Sequence, residues 1–139
     1  NLFFLDASTD RCGVGTNTPD SKLHISGTTH ATGIVTTDSG IVRSNFAIKT
    51  SGYSILTSDY IIVGNSGAGG MTLTLPTSAA VGTVFYINSG PAIAVGNSLT
   101  LAAGGSDTIN GAASINTTRA RNSWQIVRDT STTWQQYGT

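Results

Sequence analysis

Short apolar runs with a period of two constrain this chain more than any other feature. Met71-Thr72-Leu73-Thr74-Leu75 and Lys22-Leu23-His24-Ile25-Ser26 alternate without a break. Successive side chains of a strand point to opposite faces, so each run places its apolar residues on one side. Similar runs recur at Tyr53–Leu56, Tyr60–Val63, Thr83–Asn88, Ala92–Val95, Ser98–Leu101, Asp107–Ile109, Ser123–Arg128 and Thr133–Tyr137. Turn residues stand between them: a hairpin loop is expected at Gly64–Gly70, tight turns at Asn88–Pro91 and Gly96-Asn97, and Pro76 ends a strand. No helical periodicity of useful length appears. Many short strands at this spacing predict an all-β fold, with a small sandwich or barrel.

Composition agrees. Only 10% of the 139 residues are charged, and glutamate is absent. Thr suits strands, and Gly, Asn and Ser suit turns. Hydrophobic residues make up 38%, a thin supply for a core, so part of the core is expected to be shared between chains. Net charge is zero and no basic stripe exists, which removes the electrostatic footing for nucleic-acid binding. No run approaches the roughly 18 apolar residues of a membrane span, so no membrane insertion is expected. The start, Asn1-Leu2-Phe3-Phe4-Leu5-Asp6, has no basic segment before it and no initiator Met. A fragment or processed product with an N-terminal partner upstream is expected.

The chain reads as two parts. In residues 1–51, strands are expected at Leu2–Leu5, Arg11–Thr16 and Lys22–Ser26, with turns at Asp6–Asp10 and Asn17–Asp20. Alternating Gly13 and Gly15 let that strand lie close to another backbone. Leu23 and Ile25 are expected to face a core, and Lys22 and His24 solvent. Beyond Gly27 the apolar residues Ile34, Val35, Ile41 and Val42 are too sparse for a core, which reads as an extended stalk. Residues 52–139 form the strand-rich tip. An even-length hairpin over Arg128–Thr133 predicts Val127 opposite Trp134 and Trp124 opposite Tyr137.

Arg11-Cys12-Gly13-Val14-Gly15-Thr16-Asn17-Thr18-Pro19-Asp20-Ser21-Lys22-Leu23-His24-Ile25-Ser26-Gly27 resembles the VGIGT-x-x-P-x-x-x-L-x-V-x-G segment of bacteriophage tail fibres and related trimeric fibres. Cys12 and Val14 depart from the larger aliphatic residues usual there. In the second half, Asp59–Val63, Met71–Pro76, Gly82–Ile87, Ser98–Leu101 and Trp134 follow the order of a β-rich distal fibre module. The resemblance implies an intertwined trimeric stalk followed by a tip that contacts a host surface. It implies an upstream fibre or baseplate protein as a further partner, and a place on the virion, outside the cell. The autoproteolytic chaperone domain common in such fibres is expected to be absent or removed, since the chain stops at Tyr137-Gly138-Thr139.

Motifs for chemistry are few. The Gly-rich stretches lack the Gly-Lys-Ser/Thr of a phosphate cradle. Gly104–Ile109 resembles a calcium repeat once only, so a turn is expected there. The seven carboxylates, Asp6, Asp10, Asp20, Asp38, Asp59, Asp107 and Asp129, lie singly, whereas glycoside hydrolysis needs a pair in a cleft. His24 and His30 read as surface residues rather than metal ligands, and Cys12 as a small apolar side chain within a strand. No catalytic residue, metal or cofactor is therefore expected. Arg119, Arg121 and Arg128 fall close together near Asn122, Trp124, Trp134 and Tyr137. Arginine forks bind carboxylate and phosphate, and aromatic faces stack on sugars. The candidate receptor contacts are Arg119, Arg121, Asn122, Trp124 and Tyr137, toward a host polysaccharide or lipopolysaccharide. The bland reading of the arginines is a solvated loop, and of the tryptophans, core packing. A trimeric bacterial surface adhesin, a depolymerising tailspike fragment and a structural spacer remain the rival readings.

Overall fold

The structure is a computed structural model that describes residues 2–33, 36, 45–67, 69–94 and 96–138. Asn1, Ile34, Val35, Asp38, Ile41, Val42, Val95 and Thr139, all named above, and Ala68 within the expected Gly64–Gly70 loop, lie outside the described residues. The fold is all-β, with thirteen strands in three mixed sheets among the described residues. The chain divides into two compact units, Asn1–Ile41 and Val42–Thr139.

The first unit is a three-stranded sheet of β1 (Phe3–Asp6), β2 (Arg11–Val14) and β3 (Leu23–Ile25). β1 and β2 are antiparallel; β2 and β3 are parallel. The Asp6 carboxylate shapes the first turn: it accepts from the Ser8 amide at 3.0 Å, the Ser8 hydroxyl at 2.6 Å and the Thr9 hydroxyl at 2.7 Å. The Ser8 hydroxyl, followed by that of Thr9, holds this carboxyl below its ordinary pKa. The expected glycine effect is present: Gly15 has φ +75, and a Cβ there would stand 2.5 Å from the Ser26 carbonyl oxygen. Cys12 sits in the middle of β2, half-buried, between Leu5 and Leu23.

The described residues of the second unit form ten strands. They are β4 (Phe46–Lys49), β5 (Tyr53–Ser54), β6 (Ile61–Gly64), β7 (Met71–Thr74), β8 (Val84–Ser89), β9 (Leu99–Ala102), β10 (Thr108–Ile109), β11 (Ser114–Thr117), β12 (Ser123–Arg128) and β13 (Thr133–Tyr137). A six-stranded sheet has the order β10-β13-β12-β8-β6-β4, and a four-stranded sheet the order β11-β9-β7-β5. From β4 to β11 the chain changes sheet at every strand. Consequently β4, β6 and β8 run parallel in one sheet, and β5, β7 and β9 run parallel in the other. Antiparallel β12 and β13, with β10 parallel to β13 at the edge, complete the larger sheet. The inward residues Ile62, Phe85, Ile87, Trp124, Ile126 and Trp134 join Met71, Leu73, Leu99 and Leu101 in one apolar cluster. Each such burial contributes about 1.5–3 kcal/mol. The two sheets approach closely at Gly64, where a Cβ would meet Leu99 Cδ1 at 2.5 Å.

Several expectations change. Gly64–Gly70 does not close a hairpin, because β6 and β7 belong to different sheets. Among the described residues of 92–95 there is no strand, only a bridge from Ala94 to Asn97. Phe46–Lys49, placed with the stalk in the sequence reading, pairs with β6 and belongs to the second unit. The last hairpin pairs Gln125 with Tyr137 and Arg128 with Trp134, one residue away from the predicted register. The physical cause is an odd loop: the Asp129 amide donates to the Thr133 carbonyl at 3.2 Å, leaving three residues at the tip. Hydroxyl donation from Thr133, then the Gln135 amide, keeps the Asp129 carboxyl below its ordinary pKa.

Candidate functional site

The alternation between sheets sorts the loops. β4, β6 and β8 end where β5, β7 and β9 begin, so the described residues of loops 50–52, 65–70 and 90–98 gather at one end of the second unit. β11 ends and β12 begins there too, bringing loop 118–122 to the same end.

Hydrogen bonds stitch these loops together. The Ser89 amide donates to the Asn122 carbonyl at 2.8 Å, and the Arg121 amide to the Ser89 carbonyl at 2.9 Å. The Ser89 hydroxyl donates to the Arg119 carbonyl at 2.6 Å and accepts from the Asn122 amide at 2.7 Å. The buried Thr117 hydroxyl accepts from the Arg119 amide at 3.1 Å. Asn65 accepts from the Ala92 amide at 2.9 Å through Oδ1, and its own amide donates to the Lys49 carbonyl at 2.8 Å. Arg121 is held at φ 59, a left-handed conformation that the surrounding bonds impose.

This platform displays Arg119 and Arg121 in solvent, with neither in an ion pair to a described residue. Lys49 lies at the same end, its Nζ 3.7 Å from the Tyr53 ring centroid. Every described carboxylate of the second unit, Asp59, Asp107 and Asp129, lies in or beside a loop of the opposite end. Among the described residues, the solvated Arg119 and Arg121 thus stand at one end and the acids at the other, while Lys49 lies over the Tyr53 ring, whose hydroxyl bonds Asp59.

The other candidates separate. Asn122 sits in the stitched loop, half-buried, and Tyr137 is exposed on the outward face of the larger sheet, paired with Gln125. Trp124 is 4% exposed and packs in the core, so the bland reading applies and direct sugar contact by its ring does not. Arg128 is also buried, at 2% exposure, and leaves the solvated basic cluster. Its guanidinium lies 3.2 Å from Asp107, donates to the Pro76 carbonyl at 2.8 Å and the Thr130 carbonyl at 3.2 Å, and also meets the Ser131 carbonyl. Trp134 joins the group through Nε1, 3.4 Å from Asp107. Among the described residues, no group of three or more His, Cys, Asp or Glu is placed to hold a metal ion. His24 Nδ1 lies 3.1 Å from Asp20.

Two apolar sheet faces are left uncovered by the described residues, and sequence reasoning named neither as such. In the first unit, pairing places Phe3, Val14 and Ile25 in one row and Leu5, Cys12 and Leu23 in the next, all on one face. Phe3 is 61% exposed and Leu23 58%. The predicted alternation of Leu23 and Ile25 against His24 is present, but no core of described residues covers that face. In the second unit, Phe46, Ile61 and Tyr86 form a row on the outward face of the larger sheet, flanked by Ile48 and Val63. The signal for the first face was in the sequence, as Phe3, Leu5, Leu23 and Ile25 at period two. The second required the pairing of β4.

No family model matches the chain, and no curated protein matches it significantly.

Proposed function

We propose that this chain is an adhesive segment of a homotrimeric fibre of the bacteriophage-tail type, an intertwined stalk followed by a β-sandwich tip. In this reading it sits outside the cell on the virion, joined to an upstream fibre or baseplate protein. Its tip binds a host polysaccharide or lipopolysaccharide without catalysis.

The apolar face of the three-stranded sheet carries the proposal. Six side chains without a charge or a hydroxyl occupy it in two rows, from Phe3, Val14 and Ile25 to Leu5, Cys12 and Leu23. A contiguous exposed patch of this kind marks an association surface. Burying one such large side chain contributes about 1.5–3 kcal/mol, so water is a poor partner for the face. The resemblance of Arg11–Gly27 to trimeric fibres supplies the stoichiometry. At the tip, Arg119 and Arg121 offer donor-only guanidiniums on a rigid loop, which suits recognition of carboxylate and phosphate groups rather than proton transfer. Three copies turn weak single contacts into avidity.

Light scattering on the purified chain tests the association. A particle of three times 14.3 kDa is expected, and Leu23→Lys should shift the mass downward with its strands intact. A folded parent protein that stays at 14.3 kDa at high concentration would overturn the proposal.

A further inference from the structure

At the acidic end of the second unit, a cleft of about 400 Å³ lies between loop 55–60 and the turn before β8, lined by Thr57, Asp59, Tyr60, Val81, Thr83 and Val84. Its volume falls within the range of small-molecule sites, roughly 300–1,000 Å³. We propose that this cleft binds a neutral pyranose through a vicinal diol, at a site separate from the arginine loop.

Both rims are fixed before any ligand arrives. The Asp59 carboxylate takes two donors on Oδ2, the Tyr53 hydroxyl at 2.8 Å and the Leu56 amide at 2.9 Å. Its Oδ1 makes no hydrogen bond to a described residue. The carboxylate is thus oriented and still holds an open acceptor. Burial, then the bond to Asp59, pushes the Tyr53 hydroxyl above its ordinary pKa, so it stays a donor at neutral pH. On the other rim, the Thr83 amide donates to the Ala80 carbonyl at 3.1 Å, and the Gly82 amide to the Arg128 carbonyl at 2.8 Å. That ties the turn to β12. Tyr60 is half-buried, its ring centroid 5.1 Å from that of Tyr86 at 72°.

The lining selects the ligand. It contains one carboxylate and no cation, which disfavours an anion. An oriented carboxylate oxygen calls for hydroxyl donors, and such bonds are short and strong. The Thr57 and Thr83 hydroxyls donate or accept as needed. The exposed Val81 adds a small apolar edge to an otherwise polar lining. A neutral ring with adjacent hydroxyls meets all of these requirements. The inference stands apart from the trimer: a monomer that binds sugar here would sustain it, and a trimer that does not would end it.

The test is an amide-resolved NMR titration of the full chain with the methyl glycosides of glucose, galactose, mannose and rhamnose. At least one is expected to bind with a dissociation constant on the order of 1 mM, given its size. The shifts should concentrate at residues 57–60 and 81–84. Val81→Arg fills an exposed position of the cleft and should abolish binding. Asp59→Asn should weaken it about tenfold or more, and Arg119→Ala with Arg121→Ala should leave it unchanged. Should Asp59→Asn disturb the Leu56 turn, visible in the same spectra, Val81→Arg decides alone. Absence of shifts in these two segments with all four sugars overturns the proposal, as does unaltered binding by Val81→Arg.

Discussion

Arg128 shows what a buried charge asks of its surroundings. Its guanidinium meets three carbonyls and the Asp107 carboxylate, and its centre lies 5.0 Å from the Trp134 ring centroid. A buried pair of this kind adds little over an apolar pair of the same shape, but removing one partner strands the other. Asp107→Ala is therefore expected to cost about 3–5 kcal/mol, read as a lower urea midpoint with the slope unchanged. Arg121→Ala, at an exposed position, should stay within about 0.5 kcal/mol. Equal midpoints for the two variants would mean that the Arg128 carbonyl bonds suffice without Asp107. The sequence showed Arg128 and Asp107 but not their meeting, because a partner 21 residues away is fixed by β10 lying beside β13. Trp124 was legible as an inward residue only through its alternation with Ile126. The sugar-stacking alternative fell once that face joined the core.

Among the elements, β4 explains most of the distance between sequence and structure. Its four residues follow a Thr/Gly-rich stretch, and neither their number nor their alternation distinguishes an edge strand from a stalk. Periodicity names the face a residue takes, not the strand it lies beside. For that reason the runs at Met71–Thr74, Val84–Ser89 and Ser123–Arg128 were readable almost to the residue, while the change of sheet at each loop was not. Gly64–Gly70 looked like a hairpin because turn chemistry serves a crossing between sheets equally well. Pairing β4 with β6 creates the outward row of Phe46, Ile61 and Tyr86, with Ile48 and Val63 beside it and no charged residue in either row. If chains associate through this row as well, Ile48→Asp should lower the temperature at which the oligomer dissociates. Its strand content, followed by circular dichroism, should not change, because Ile48 is exposed within one chain. A dissociation temperature equal to that of the parent would confine association to the first unit.

Over the whole chain, zero net charge conceals a separation. Among its described residues, the second unit places Arg119 and Arg121 at one end and Asp59, Asp107 and Asp129 at the other, where Arg128 neutralises one acid. Composition predicted an electrically bland surface, and only the order of strands reveals that one end is cationic. In a trimer the two loop arginines become six, a dense positive field on a rigid, hydrogen-bonded platform. Such a field attracts anionic glycans before contact and raises the association rate, by ten-fold to about a thousand-fold in favourable cases. It is also screened beyond about 8 Å at physiological ionic strength. Exposed charges of this kind act mostly on the rate of encounter and on its salt dependence. Replacing Arg119 and Arg121 together by Ala removes two side chains whose heads touch nothing in the core, while the Ser89 bonds to the loop backbone persist. The double variant is expected to keep its mass and melting temperature. Its adsorption to host cells or purified lipopolysaccharide should slow at least tenfold at low salt and converge on the parent at high salt. Parallel salt curves for parent and variant would remove the arginine loop from the proposed receptor site.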